Sequence, residues 1–284
     1  MPFVTRFAPS PTGPLHLGHA YSALLAHDMA RAAGGRFLLR IEDIDRTRAR
    51  AQWEDQIYED IRWLGLTWDA APLRQSDRLP AYHAALERLW ERGLLYACDC
   101  TRRDIQSALT APQEGGDPAF GPDGLIYPGT CRNKPRPEKM PESAALRLDM
   151  ARAIATLNTD TISYEETGAH PQTVITPTPD LISTVGDIIL SRRDFLGSYH
   201  LSVILDDAHQ NITHVVRGQD ISEATQIHVL LQQLLGLPTP CYHHHRLIRD
   251  ATGKRLAKRD DARAIAKYRA DGASPADIRR MVGL

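Results

Sequence analysis

Two histidines close to the N-terminus have the residue type and the spacing for phosphate chemistry. His16 and His19 stand three positions apart, with Gly18 between them, where an apolar helical pattern begins. A helix N-terminus carries unpaired N–H groups and a partial positive charge, so it attracts phosphate. Side chains at this spacing share one face and can donate to phosphate oxygens, while Gly18 leaves room for a flat base. The pattern predicts a nucleotide site; two surface histidines on an ordinary helix are the open alternative.

A second group of residues suited to phosphate lies far along the chain. Residues 253–259 contain Lys254, Arg255, Lys258 and Arg259. Four cations in a glycine-containing loop suit a triphosphate whose charge must be neutralised during transfer. The alternative is a solvated run of charges.

Three of the four cysteines are candidate metal ligands. Cys98 and Cys100 precede a stretch at 110–142 that is rich in proline and glycine, and Cys131 lies within it. Such a stretch lacks a core of its own and needs another anchor. Four cysteines are too few for a disulfide scaffold at this length, whereas zinc favours thiolate ligands. We therefore expect a structural zinc site, with free buried thiols as the alternative.

The apolar patterning predicts the elements that position these residues. A strand at 4–8, a helix at 17–33 that stops at Gly34 and Gly35, and a strand at 36–41 form one βαβ unit. Further patterns predict helices at 50–64, 79–92 and 223–235, strands at 144–149, 201–205 and 213–217, and a short helical tail at 262–284. His243, His244 and His245 lack the spacing of a metal site, and we interpret them as a turn before a strand at 246–248.

Composition narrows the class of protein. The 284 residues can bury one large or two modest cores. The charge balance, 34 basic against 35 acidic residues, excludes a uniformly basic nucleic-acid coat but leaves a local basic face open. No apolar stretch approaches the roughly 18 residues that span a bilayer, and the N-terminus lacks the pattern of a secretory signal. We expect a soluble cytoplasmic protein with no membrane partner.

Taken together, these motifs resemble those of class I aminoacyl-tRNA synthetases. The segment ending at His16–His19 resembles the "HIGH" motif and residues 253–259 resemble the "KMSKS" motif, in the expected order, with Arg255 where lysine is usual and Ala257 where serine is usual. Residues 6–19, 39–48 and 214–220 look like the glutamyl and glutaminyl branch of that family. The resemblance extends from residue 6 to residue 259, nearly the whole chain.

The resemblance implies an α/β fold, a Rossmann-type class I catalytic domain with an inserted α+β subdomain and a short helical C-terminal tail. Residues 1–75 and 191–240 would form the two halves of the nucleotide-binding domain. Residues 76–190 would form the insertion that carries zinc and contacts tRNA. Residues 241–284 would hold the KMSKS-like loop and the tail, with no anticodon-binding domain.

The resemblance also assigns the site residues. Catalysis would rest on His16, His19 and Lys258, and ATP, accompanied by Mg²⁺, would contact Gly18 and Arg255 as well. Glutamate would be bound by Arg6, Ala8, Ser10, Glu42, Tyr199 and Arg217. Arg217 would pair with the side-chain carboxylate, for which a planar fork of donors is suited, and Glu42 would receive the α-ammonium. No side chain would act as a nucleophile, because the substrate carboxylate attacks the α-phosphorus itself.

For the metal, the resemblance implies one zinc ion on Cys98, Cys100, Tyr127 and Cys131. The spacing C-x-C followed by Y-x-x-x-C resembles the zinc knuckle of bacterial glutamyl-type enzymes. A phenolate is an unusual ligand, so water or a histidine stays open as the fourth.

The length of the chain suggests which reaction follows activation. Only 25 residues follow Arg259, too few for the helical domain that reads an anticodon in glutamyl-tRNA synthetases. The chain therefore resembles a branch that comprises the catalytic part alone. That branch passes the glutamate to the queuosine base at the wobble position of tRNA(Asp), and a monomer would hold the anticodon stem-loop. Two alternatives stay open: a truncated enzyme that charges tRNA(Glu), and a non-catalytic tRNA-binding relative.

Overall fold

The N-terminal βαβ unit forms as predicted. The structure is a computed structural model that describes residues 2–110, 120–249 and 263–284. Strand β1 (Val4–Phe7) pairs in parallel with β2 (Arg36–Ile41), and helix α1 (Leu17–Ala32) connects them. The helix ends at Gly34, whose φ of +60° lies in the left-handed region that glycine favours. A Cβ on Gly35 would lie 2.1 Å from the Phe3 carbonyl oxygen, so the chain can turn tightly back into β2.

Two helices and a short strand complete the first half of the sheet. Helix α2 (Ala51–Trp63) leads to β3 (Leu73–Arg74), which pairs in parallel with β2, and helix α3 (Leu79–Glu91) follows a single 3₁₀ turn. Both helices confirm the predictions for 50–64 and 79–92. They bury apolar side chains at helical spacing, as Ile57 and Ile61 do in α2 and Leu86 and Leu89 do in α3.

The middle of the chain contributes short strands that pair with one another in antiparallel. Its elements are β4 (Leu95–Cys98), α4 (Arg102–Thr110), β5 (Phe120–Gly121), β6 (Gly124–Leu125), β7 (Ala145–Leu148), α5 (Met150–Ala155), β8 (Thr161–Glu166), β9 (Gln172–Pro177), α6 (Asp180–Thr184) and β10 (Ile189–Ser191). Strand β7 lies between β4 and β10, β5 pairs with β6, and β8 pairs with β9. The strand predicted at 144–149 is confirmed as β7.

The chain then returns to the parallel strands. Helix α7 (Tyr199–His209) precedes β11 (His214–Gly218), and helix α8 (Thr225–Leu235) connects β11 to the parallel strand β12 (Cys241–His245). The Thr213 N–H donates to the Val4 carbonyl at 2.9 Å, which places β11 beside β1. Helices α9 (Ile265–Ala270) and α10 (Pro275–Val282) form the tail, and α10 packs on α1.

Two sequence predictions of local structure are wrong. Residues 201–205 form part of α7 rather than a strand; the Ser198 hydroxyl caps the helix by accepting from the Leu201 N–H. This helix is buried on nearly every side, so its apolar run shows no period of 3.6. The three histidines 243–245 belong to β12 rather than to a turn, and 246–248 is not a strand. In the described parts of the chain, no helix has the length and apolar character to cross a membrane.

Candidate functional site

A cavity of about 700 Å³ opens at the carboxyl ends of β1, β2 and β11. Crevices at this edge of a parallel sheet are where α/β proteins bind ligands. The strands deliver their last residues and the loops that follow into its wall. The predicted site residues that line it are Arg6, Ala8, Ser10, His19, Glu42, Tyr199 and Arg217. Six of these are the complete set predicted for glutamate.

His16 and His19 organise the start of α1. The His16 ring accepts the Gly18 N–H at Nδ1 over 3.1 Å, and the His19 ring accepts the His16 N–H at Nδ1 over the same distance. An imidazole nitrogen that accepts carries no proton, so each neutral ring has its proton on Nε2 and can donate from there. The ring centroids lie 3.8 Å apart, with the ring planes tilted by 37°. Of the two, His19 lines the cavity, and the His16 ring lies against the His19 ring.

The structure gives a reason for glycine at position 18 that the sequence did not reveal. A Cβ at this position would lie 3.0 Å from Cε1 and 3.1 Å from Nδ1 of the His16 ring. Contacts this short would push the ring away from its cap. Among the described residues that form the cavity wall, Gly18 does not appear.

The floor of the cavity is a network of buried charges. Asp207, on α7, accepts from Nε of Arg6 at 2.8 Å and from Nη1 of Arg40 at 2.6 Å. The second Nη of Arg40 donates to Glu42 at 3.2 Å. Burial would raise the pKa of Asp207, but the two guanidinium groups hold it below its usual value. The network therefore holds two cations and two carboxyl groups in fixed positions before any substrate binds.

Glu42 differs electrostatically from Asp207. Burial raises the pKa of Glu42 above its usual value, and this effect outweighs the opposing charges of Arg40 and Arg6. A cation brought into the cavity would favour the ionised carboxylate. Glu42 is thus suited to receive an ammonium group.

Arg217 is the most firmly held cation of the site. Its Nε donates to Nε2 of His244 at 3.1 Å and its Nη1 to Nδ1 of His228 at 3.1 Å. Its Nη2 donates to the Thr225 hydroxyl at 2.6 Å and to the Ile221 carbonyl at 3.3 Å. Within the described residues, the second Nη1 hydrogen has no acceptor. The buried guanidinium is therefore oriented by the protein, with its charge and one hydrogen left for a ligand.

Several residues of this site were missed by the sequence reasoning. They are Arg40, Asp207, His228 and His244, all buried. Two of them did leave a signal, because Arg40 interrupts the apolar residues of β2 and Asp207 follows the apolar run of α7. Charged residues are rarely fully buried unless they are paired.

The predicted metal ligands also come together. The Sγ atoms of Cys98, Cys100 and Cys131 all lie within 4.8 Å of one another, and Cys100 and Cys131 are 3.6 Å apart. Tetrahedral zinc with Zn–S bonds of about 2.3 Å places sulfur atoms about 3.8 Å apart. The Tyr127 hydroxyl lies 3.4 Å from Cys98 and from Cys100. Burial would raise the pKa of Cys131, but hydrogen bonds, the largest from Tyr127, lower it to about 6. The cluster can bind a metal ion.

Two predicted ATP contacts fall outside the described residues. Arg255 and Lys258 fall in residues 250–262, outside the part of the chain that the structure describes.

The family of the chain follows from comparison with known proteins. Residues 2–284 match the family described as class I tRNA synthetases (E and Q), catalytic domain. The chain belongs to this family. The expected α/β fold, the catalytic fold of the class I enzymes, is thereby confirmed, and the glutamyl and glutaminyl branch is the one that the motifs indicated.

Individual relatives and solved structures show which members of the family the chain resembles. A glutamyl-Q tRNA(Asp) synthetase from Rhodobacter capsulatus is 64% identical over 99% of this chain and 100% of its own length. Another from Nocardia farcinica is 43% identical over 96% of this chain and 81% of its own. Among solved structures, a glutamate tRNA ligase from Elizabethkingia meningosepticum in complex with its amino acid is 29% identical, with a TM-score of 0.77 over the whole of this chain. This chain spans 61% of the length of that ligase.

Proposed function

We propose that the protein activates L-glutamate with ATP and transfers it to the queuosine base at the wobble position of tRNA(Asp). The observation that carries the proposal is the convergence of Arg6, Glu42 and Arg217 on one cavity beside His19. The 64% identity to a relative named for this reaction supports the choice of acceptor.

Glutamate has three charged groups, and the cavity offers a partner for two of them. Its α-ammonium pairs with Glu42, whose pKa is raised by burial and which gains from an added cation. Its side-chain carboxylate pairs with Arg217, held in place by four hydrogen bonds to the protein. Arg6, fixed by Asp207, adds positive charge beside the substrate, and Ser10 and Tyr199 complete the pocket.

The α-carboxylate stays ionised and attacks the α-phosphorus of ATP. A new O–P bond forms as the bond to pyrophosphate breaks, which gives glutamyl adenylate. The protein contributes position and charge stabilisation rather than a nucleophile. His19 and His16 donate from Nε2 at the start of α1, and Lys258 and Arg255 carry the charge of the phosphates, in accordance with their matches to the family motifs. A hydroxyl group of queuosine then attacks the activated carbonyl, and AMP leaves.

Two metals accompany this proposal. Cys98, Cys100 and Cys131, with Tyr127 as fourth ligand, hold one zinc ion that anchors the insertion in place of a core. Magnesium binds with ATP, mainly through the phosphates.

The proposal assigns the remaining parts of the chain as follows. Residues 1–75 and 191–240 bind the nucleotide and glutamate, residues 76–190 face the anticodon stem-loop, and residues 241–284 supply the KMSKS-like motif and the tail. One copy of the chain acts alone, in the cytoplasm. A protein of balanced charge needs a local basic surface for this contact, so binding should weaken as salt is raised.

The acceptor is tested with labelled glutamate, ATP and three RNAs. These are tRNA(Asp) that contains queuosine but lacks its terminal adenosine, the same truncated tRNA without queuosine, and intact tRNA(Glu). We expect label on the first RNA alone. Label on tRNA(Glu) alone would support a truncated tRNA(Glu)-charging enzyme instead. No label together with no glutamate-dependent exchange of pyrophosphate into ATP would indicate a non-catalytic tRNA-binding protein.

A further inference from the structure

Arg217 stands at the end of a chain of hydrogen bonds that leads out of the glutamate cavity into the insertion. Its Nη1 donates to Nδ1 of His228, on α8, at 3.1 Å. Nε2 of His228 lies 3.1 Å from Nδ1 of His200, on α7. Nε2 of His200 in turn lies 3.1 Å from Oδ1 of Asp123. Two histidine side chains thus connect the cation of the site to a carboxylate at the surface.

The proton positions along this chain follow from the donor at one end. A guanidinium has no acceptor, so Nδ1 of His228 must accept, and the neutral ring carries its proton on Nε2. That proton is donated to Nδ1 of His200, which leaves the proton of His200 on Nε2, directed at Asp123. Each link has one donor and one acceptor, and the carboxylate is the terminal acceptor. Loss of Asp123 would free the His200 ring to turn and release His228.

Burial fixes the donor and acceptor roles along this chain of hydrogen bonds. His228 and Arg217 are 1% and 7% exposed, and His200 is 5% exposed. Burial, followed by the charge of Arg217 and then by the neighbouring His200, Arg6 and His244, lowers the pKa of His228 well below its usual value. His228 is therefore a neutral acceptor, since a protonated ring would place an N–H group against the guanidinium.

The opposite edge of the guanidinium has a similar but shorter support. Nε of Arg217 donates to Nε2 of His244, and Nδ1 of His244 donates to Glu166 on β8. Both edges thus end on a carboxylate of residues 76–190, but Glu166 lies on a strand of the same sheet as Arg217 whereas Asp123 lies in a separate hairpin.

Asp123 occupies the turn of the β5–β6 hairpin, which lies close against another part of the insertion. A Cβ on Gly121 would come within 2.4 Å of the Thr184 carbonyl oxygen, at the end of α6. The same hairpin leads within a few residues to Tyr127, beside the cysteine cluster. The position of this turn is therefore set by contacts within the insertion. The carboxylate of Asp123 in the turn acts on Arg217 through the two histidines.

We propose that Asp123, His200 and His228 are positioning residues that orient Arg217 for the side-chain carboxylate of glutamate. Through them, the insertion sets the affinity of the site for its amino acid. This inference rests on the proposed function. The residues touch Arg217 or one another rather than the substrate, so they act on glutamate binding and not on the step at the α-phosphorus.

The test compares Asp123→Ala with Asp123→Asn in full-length protein. The Asn variant keeps an oxygen that can accept from His200, whereas the Ala variant has none. The carboxyl side chain of Asp123 is 43% exposed, so neither change should affect folding. A net hydrogen bond of ordinary strength corresponds to a change of about three- to tenfold. We expect Asp123→Ala to raise the KM for glutamate by that factor, with kcat and the KM for ATP changed by less than about twofold.

The control and a second variant complete the design. Asp160→Ala, at an exposed aspartate before β8, should leave all three constants at their wild-type values. Asp123→Asn should stay within about twofold of wild type for glutamate. His228→Leu, checked by thermal unfolding, should raise the KM for glutamate at least as much as Asp123→Ala.

The possible outcomes distinguish a failure of this inference from a failure of the proposed function on which it rests. An unchanged KM in Asp123→Ala, or a fall in kcat alone, would overturn the inference while wild-type activity upheld the function. Equal losses in the Ala and Asn variants would overturn the role of the acceptor oxygen. A wild-type protein with no glutamate-dependent exchange of pyrophosphate would overturn both.

Discussion

Replacing Asp207 with asparagine tests the charge network beneath the cavity. The change keeps the shape of the side chain but removes the carboxylate that binds two buried cations. Among the described residues, Arg40 keeps a hydrogen bond to the carboxylate of Glu42, whereas the hydrogen bonds of Arg6 go to Asp207 alone. Removing one partner of a buried ion pair typically destabilises a protein by about 3–5 kcal/mol, because the other charge stays buried. Since the amide oxygen can still accept one hydrogen bond, we expect about 3 kcal/mol.

The assay is equilibrium unfolding in guanidinium chloride over a range of pH. The pKa of Asp207 is held below its usual value, so its stabilisation is present above the unfolded-state pKa of about 4 and is lost as pH falls through the folded pKa. The gap between wild type and Asp207→Asn should therefore be full at neutral pH and shrink in acid. Asp160→Asn, an exposed control, should change stability by less than about 0.5 kcal/mol.

Two results would refute this reasoning. One is a gap below about 1 kcal/mol at neutral pH, since removing a buried partner then has no more effect than an ordinary surface change. The other is a gap of the same size in acid, which would mean that the ionised carboxylate is not its source.

Three further predictions concern other parts of the molecule. Asp60 is fully buried, and neither of its oxygens has a hydrogen-bond partner among the described residues, although Arg269 lies 3.7 Å from Oδ1. Burial outweighs the charge of Arg269 and raises the pKa of Asp60 to about 6. A group with a raised pKa stabilises the fold at pH values below its unfolded-state pKa, and this stabilisation is lost as pH rises through about 6. The free energy of unfolding of Asp60→Asn in urea should therefore exceed that of wild type by about 1–3 kcal/mol in alkali and converge with it in acid. A variant less stable than wild type in alkali would contradict this. Gly18→Ala should lower kcat for pyrophosphate exchange by about tenfold through displacement of His16, with little change in Tm; unchanged kcat would remove that role. Cys131→Ser should lose most of its zinc in metal analysis, while Cys241→Ser keeps it; equal zinc in both would argue against the cluster.

Much of the site could be predicted from the sequence because its residues stand at the ends of elements. Arg6, Glu42 and Arg217 lie at or just beyond the carboxyl ends of their strands, and parallel strands bring those ends to one edge. The motifs therefore identified residues that face the cavity. They could not show how those residues are held, because the carboxylate that fixes Arg6 lies 201 residues away and contacts of this kind leave no local pattern.

The wrong predictions share one physical cause. Residues 201–205 belong to α7, which is buried on nearly every side and packs against α3, α8 and β10, so the run has no helical period. His244 and His245 are polar but belong to a buried parallel strand, since His244 supports Arg217 and His245 bonds to Ser22. Tertiary contacts override local pattern at both places.

The most direct test of the central claim is to locate the glutamate on the RNA after the reaction. Intact tRNA(Asp) with queuosine is incubated with the protein, ATP and glutamate, then cut by a nuclease and analysed by mass spectrometry. The account predicts that the anticodon-loop fragment gains one glutamyl group, and that the 3′-terminal adenosine gains none. Glutamate on the terminal adenosine, with an unchanged anticodon-loop fragment, would contradict it.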